Sequence, residues 1–185
     1  MNIKSITILT LTILFFNITS AQEKPEPAKE VLSNAFDQAK KTNKNVFVMF
    51  KASWCGWCKK MDASIKDETT KNLFNKNYVI EHLVVKEATN KKNLENLGAD
   101  EILSKYGGDK SGIPYWLIFD PNGNLLADSK MVKGELILKE KGNNIGCPGT
   151  QEEVDAFIYK LKETSTLTNE ELKIISKRFR QNSSH

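Results

Sequence analysis

An apolar run that stops at a pair of cysteines constrains this chain more than anything else in it. Val46-Phe47-Val48-Met49-Phe50 reads as a buried strand, because it is β-branched and aromatic with no polar break. It opens through Lys51-Ala52-Ser53-Trp54 into Cys55-Gly56-Trp57-Cys58. A helix is expected from Cys55 to Ile65, with Met61 and Ile65 one turn apart on a single face. Cys55 then stands where a helix starts, among unpaired backbone N–H groups and at the positive end of the dipole. Both favour thiolate over thiol, and the thiolate is the species that attacks disulfides. Strand, turn, C-x-x-C and helix together form a unit for thiol–disulfide exchange. Its sulfur at Cys55 is expected to lie open to water.

The chain has 185 residues, enough for one domain with a sizeable core. Its formal net charge of +4 is scattered. No basic stripe interleaves with aromatics, so nucleic acid is not an expected partner. Residues 1–21 read as a signal peptide: Lys4, an apolar run over Ile6 to Phe16, then small residues Thr19-Ser20-Ala21 before Gln22. The apolar part is short for a membrane span, so no stable membrane insertion is expected after cleavage. An uncleaved anchor is the alternative. Export implies a periplasmic or secreted protein, in a compartment where disulfides persist. Three cysteines are too few for a disulfide scaffold in a chain of this length.

Residues 22–27, with two prolines, form an expected flexible leader. Ala28 to Lys41 carries Val31, Leu32, Ala35, Phe36 and Ala39 at helical spacing. A short helix is expected over Thr70 to Asn75 and a second strand over Tyr78 to Val85. Ala99 to Tyr106 reads as a helix stopped by Gly107-Gly108. Tyr115 to Phe119 is a third strand, Asp120-Pro121-Asn122-Gly123 a hairpin turn, and Leu125-Leu126-Ala127 the returning strand. Glu135 to Leu138 is expected to pair or pack locally. Thr150 with Glu153, and Thr168 with Glu171, are capping boxes that open two further helices. The organisation is a domain over 28–162 and a C-terminal helical extension and tail over 163–185.

This order of elements, together with Ala52-Ser53-Trp54-Cys55-Gly56-Trp57-Cys58-Lys59 and the downstream Gly112-Ile113-Pro114, resembles the thioredoxin superfamily. The form Lys-Ala-Ser-Trp-Cys-Gly-Trp-Cys-Lys-Lys-Met is similar to secreted bacterial thioredoxin-like proteins and to the C-terminal thioredoxin-like domain of DsbD. The resemblance implies an α/β fold: a central mixed sheet of about four to five strands, flanked by helices. Here an extra C-terminal helix is added. It implies that Cys55 is the nucleophile and Cys58 the resolving thiol. It also implies a cis Pro114 that sets the backbone of Ile113 beside the sulfurs, where an extended substrate pairs. Trp54, Gly56 and Trp57 would line that groove. No cofactor is implied; substrates are protein or peptide disulfides, and a partner protein donates or accepts electrons.

Two departures from the family pattern bear on mechanism. Thioredoxin places a buried aspartate six residues before the first cysteine; here that residue is Met49. Asp62, one turn after Cys58, matches an acid of the DsbD domain and is a candidate for proton transfer. The plainer reading of Asp62 is an exposed carboxylate near Lys59 and Lys66. The dipeptide between the cysteines is Gly56-Trp57, without the histidine that makes an oxidant. Other readings stand beside these. Cys55 and Cys58 could be half a zinc site, but Cys147, His82 and His185 lack ligand-pair spacing. They could form a purely structural disulfide. Cys147 either borders the groove as a third thiol or is a small apolar side chain in a loop. His82 reads as a structural histidine. Tyr115 and Trp116 alternate, so one of the two is expected in the core. The reading of a different class is a peptide-binding or chaperone module whose cysteines are redox-inert.

Overall fold

The computed structural model describes residues 24–131 and 142–183. The leader peptide at 1–21 and the expected local packing at Glu135 to Leu138 lie outside them. Four strands form one sheet in the order β2-β1-β3-β4. Helix α1 (Ala28–Thr42) leads into β1 (Asn45–Lys51) through Asn43, whose φ of 53° is left-handed and whose N–H donates to the Ala39 carbonyl. Then follow α2 (Gly56–Ile65), α3 (Lys71–Asn77) and β2 (Tyr78–Val84). A 3-10 turn over Thr89–Leu94 leads to α4 (Ala99–Lys105). Strands β3 (Tyr115–Phe119) and β4 (Leu125–Asp128) precede α5 (Gln151–Glu163) and α6 (Asn169–Arg180).

Strand β1 is the middle of the sheet. It pairs parallel with β2 and antiparallel with β3, and all five residues from Val46 to Phe50 are buried. Period-two alternation sends them to opposite faces. Val46, Val48 and Phe50 join Leu83, Leu117, Phe119 and the α1 alanines Ala35 and Ala39. Phe47 and Met49 join Met61, Ile65, Phe74, Trp116, Phe157 and Phe179 on the other face. Helices cover both faces, which corrects one expectation. Tyr115 and Trp116 are both fully buried, each in a different core.

The last helix belongs to the same core as the sheet. Phe179 of α6 lies 5.0 Å from Phe157 of α5, ring centre to ring centre, and Phe157 lies 5.3 Å from Trp116. Burying each such ring is worth about 2–3 kcal/mol. Both capping boxes form. Glu153 Oε2 accepts from the Thr150 N–H at 2.9 Å, and Glu171 Oε2 from the Thr168 N–H at 2.8 Å. The described end of the leader is tied down, with the Asn96 amide donating to the Glu26 carbonyl at 2.8 Å. Among the described residues, no helix is long and apolar enough to cross a membrane. The fold is the α/β, thioredoxin-like one expected, with four strands among the described residues and helices added at the C-terminus.

Candidate active site

The chain leaves β1 at Lys51, turns through Ala52 to Trp54, and enters α2 with Cys55 as the capping residue. Cys55 takes the place usually held by Ser, Thr or Asp. The Cys58 N–H points at the Cys55 sulfur from 3.1 Å. Cys55 and Cys58 are joined in a disulfide, with Cα atoms 5.3 Å apart. The turn is held from a distance. Glu87, buried just past the end of β2, accepts from the Ser53 N–H at 2.5 Å and from the Ser53 hydroxyl at 2.8 Å. The Trp54 indole N–H donates to the Lys86 carbonyl at 2.8 Å.

The second wall comes from the loop before β3. The Ile113–Pro114 peptide is cis. The Ile113 carbonyl oxygen lies 3.5 Å from the Cys55 sulfur, and the Ile113 side chain packs on Ala52, Cys55 and Cys58. Lys86 ties this loop to the first wall. Its ammonium donates to the carbonyls of Ser111 at 2.7 Å and Asp109 at 3.0 Å, while its own carbonyl holds Trp54. From the far side, the Asn144 amide donates to the Gly112 and Pro114 carbonyls at 2.7 and 3.0 Å. A groove of about 440 Å³ runs along this wall, lined by Trp57, Ile113, Pro114, Ile145, Cys147 and Thr150 among others. Trp54 and Trp57 stand out into solvent, 59% and 50% exposed. The Lys60 ammonium sits 4.5 Å from the Trp57 ring centre. Gly56 has open space around its Cα.

One expectation about the sulfurs is corrected. Cys55 is 3% exposed and Cys58 1%. In the disulfide form the Cys55 side chain turns inward to its partner and under Ile113, so it is not open to water.

Cys147 lies on the groove wall but is 7% exposed, and burial pushes its thiol up to about 12. The Asn182 amide donates to its sulfur at 3.4 Å. Asp62 differs from the plain reading of an exposed carboxylate near Lys59 and Lys66. It is partly buried, 2.6 Å from His82 Nε2 and 3.2 Å from Lys51 Nζ. Burial alone would raise its carboxyl. The His82 hydrogen bond and the His82 and Lys51 charges outweigh that and lower it to about 2. Met49 is fully buried beside them, in register with His82. Among the described residues, no group of three His, Cys, Asp or Glu converges as a metal site requires.

The sequence reading passed over Lys86, Glu87 and Asn144. One signal was available for the first two: they follow a parallel strand at its carboxyl end, where α/β folds build their sites.

Three solved structures are similar in fold, each at a TM-score below one half. A disulphide isomerase from Xylella fastidiosa Temecula1 is 18% identical, with 88% of this chain and 96% of that one covered, at a TM-score of 0.49. A DsbH oxidoreductase is 18% identical, covering 78% of this chain and 88% of its own, at 0.45. The oxidised C-terminal domain of DsbD from Neisseria meningitidis is 20% identical, covering 56% and 83%, at 0.40. No curated protein matches the sequence. The thioredoxin-like family model matches residues 28–121, which take in β1, the cysteine pair, the cis proline and β3. That span is just over half of the chain, and the chain belongs to the thioredoxin-like family.

Proposed function

We propose that the protein is a thiol:disulfide oxidoreductase of the cell envelope, reducing or isomerising protein disulfides through Cys55 and Cys58. The observation that carries this is the Cys55–Cys58 disulfide capping α2, with the Cys58 amide aimed at the Cys55 sulfur. In the reduced protein the same amide and the helix dipole stabilise a thiolate at Cys55. That thiolate attacks a substrate disulfide; one substrate sulfur leaves and a mixed disulfide forms. Cys58 gives up its proton and attacks the Cys55 sulfur. The Cys55–Cys58 bond forms and the second substrate sulfur leaves, so the substrate gains two electrons and the pair loses two. Asp62, one turn from Cys58, takes part in the proton transfer. The Ile113 backbone and the tryptophans Trp54 and Trp57 hold the substrate chain. The resting electrons come from a partner protein, with no bound cofactor. The apolar leader at 1–21 supports export to the periplasm or beyond.

Insulin reduction with dithiothreitol tests this. Cys55→Ser is expected to abolish it, and Cys58→Ser to stop turnover while accumulating mixed disulfides. If both variants match the unaltered protein, the assignment is wrong. One observation favours a second reading, a peptide-holding module with inert cysteines: both sulfurs are almost completely covered. Titration against glutathione separates the two. An oxidoreductase interconverts with the glutathione couple, and an inert pair does not.

A further inference from the structure

The segment that follows β2 runs between the two walls of the groove and is bonded to both. The Val85 N–H donates to the Lys51 carbonyl at 2.9 Å, and the Lys86 carbonyl accepts from the Trp54 indole at 2.8 Å. The Glu87 carboxylate accepts twice from Ser53. These contacts fasten the segment to the turn that carries Cys55. Lys86 also reaches the other way. Its ammonium donates to the Ser111 carbonyl at 2.7 Å and the Asp109 carbonyl at 3.0 Å, just ahead of Ile113 and Pro114. It does so from a backbone that does not suit it. The φ of Lys86 is 56°, in the left-handed region that favours glycine. Glycine or asparagine would sit there at less cost. What a lysine adds at that place is a side chain long enough to meet the opposite loop.

The other link between the walls runs through sulfur. Ile113 packs on Cys55 and Cys58, and its carbonyl lies 3.5 Å from the Cys55 sulfur. That link does not outlast the reaction, because a mixed disulfide transfers the Cys55 sulfur from Cys58 to the substrate. The Lys86 bonds touch no sulfur, so they persist in the oxidised, reduced and mixed-disulfide forms. A groove whose spacing is fixed in advance spares the substrate the cost of ordering it.

We propose that Lys86 is a positioning residue. It braces the Trp54 turn against the loop ahead of Pro114 in every redox state, and so sets how tightly the groove holds an extended disulfide substrate. This deepens the oxidoreductase reading above and rests on it.

Three variants test the proposal. Lys86→Asn and Lys86→Gly suit the left-handed backbone and keep the carbonyl that Trp54 uses, but lose the reach. Lys86→Arg keeps a long side chain with several donors. With a disulfide-linked peptide as substrate and dithiothreitol as reductant, the Asn and Gly variants are expected to raise KM about tenfold and to keep kcat within about twofold. Lys86→Arg is expected to restore KM. Alkylation of Cys55 by iodoacetamide in the reduced protein needs no groove, and its rate is expected to match the parent in all three. The spacing itself is read by hydrogen exchange, without turnover. The Ser111 N–H donates to the Gly108 carbonyl at 3.1 Å. It is expected to exchange about tenfold faster in Lys86→Asn, because the loop opens more often. Parental KM or parental Ser111 exchange in Lys86→Asn overturns the proposal. A KM rise matched by slower alkylation overturns it too, since the damage would then lie at the sulfurs. Failure of the unaltered protein to reduce the peptide overturns the reading beneath it and leaves Ser111 exchange to decide the brace.

Discussion

Two cysteines precede helices in this molecule, and their helices treat them differently. Cys55 is itself the cap of α2, and the Cys58 amide points at its sulfur. Cys147 lies three residues ahead of the α5 cap, and there the capping box takes the Gly149, Thr150 and Glu153 amides. Thr150 Oγ1 accepts from Glu153, while Glu153 Oε2 accepts from both Gly149 and Thr150. What reaches the Cys147 sulfur is one neutral amide, from Asn182. Both sulfurs are covered by protein, so burial does not tell them apart. What differs is whether backbone donors are left for sulfur. A capping box removes them, and a cysteine in the capping position keeps them.

The sharpest attempt to break this contrast is alkylation of the reduced, folded protein. A thiol at about 12, as for Cys147, has about a thousandfold less thiolate near pH 8 than one at the ordinary 8.5. Iodoacetamide at pH 8 should label Cys55 and spare Cys147 until the protein is unfolded, with mass spectrometry locating the label. Comparable labelling of both in the folded state would erase the distinction.

The two sites also differ in their anchors, and the next effect in size follows. Glu87 holds the Ser53 turn with a buried carboxylate; Asn182 holds the Cys147 loop with an amide to Pro148. Glu87→Ala removes the acceptor of both Ser53 hydrogen bonds and is expected to cost about 2–3 kcal/mol in urea unfolding. Asn182→Ala is expected to cost about 1 kcal/mol less than that, since its bonds are neutral. Equal losses would mean that the charge on Glu87 adds nothing to the turn.

How much of this could be read from the chain depends on the separation of the partners. The capping boxes are three residues wide, so Thr150 and Thr168 announce themselves. The strand before Cys55 and the Gly112-Ile113-Pro114 wall are local patterns too. Ser53 and Glu87 are 34 positions apart, and Asp62 and His82 are 20 apart. Such pairs meet because β1 and β2 lie side by side in parallel, and composition carries no trace of that register. The same limit explains Tyr115 and Trp116. Alternation says that they face opposite ways, but not that helices cover both sides. The covered sulfurs were missed because a cap position argues for donors, not for exposure.

A smaller effect distinguishes the ground under the two sites by pH. Asp62 lies near the redox pair with its carboxyl lowered to about 2, below the ordinary value near 3.8. A lowered folded value means that its stabilisation is present above about pH 4 and is lost as pH falls toward 2. After allowance for solvent screening this is about 1 kcal/mol. Asp62→Asn should therefore destabilise the protein at pH 7 by about that amount and by almost nothing near pH 2. A pH-independent difference in chemical denaturation would place the effect in packing instead of charge.

The smallest effect is expected at Cys147 itself. Cys147→Ala removes one buried sulfur and the Asn182 contact at 3.4 Å, a loss of about 1 kcal/mol on unfolding. The glutathione titration is the telling measurement. If the redox chemistry belongs to the pair that caps α2, the variant keeps a two-electron curve with the same midpoint, because the remaining thiols are those with backbone donors. If Cys147 exchanges with Cys55 across the groove wall they share, the midpoint moves and a second disulfide species disappears from the oxidised protein. In that case a thiol whose helix amides are already occupied would be redox-active. Position ahead of a helix, rather than access to its donors, would then decide which sulfur reacts.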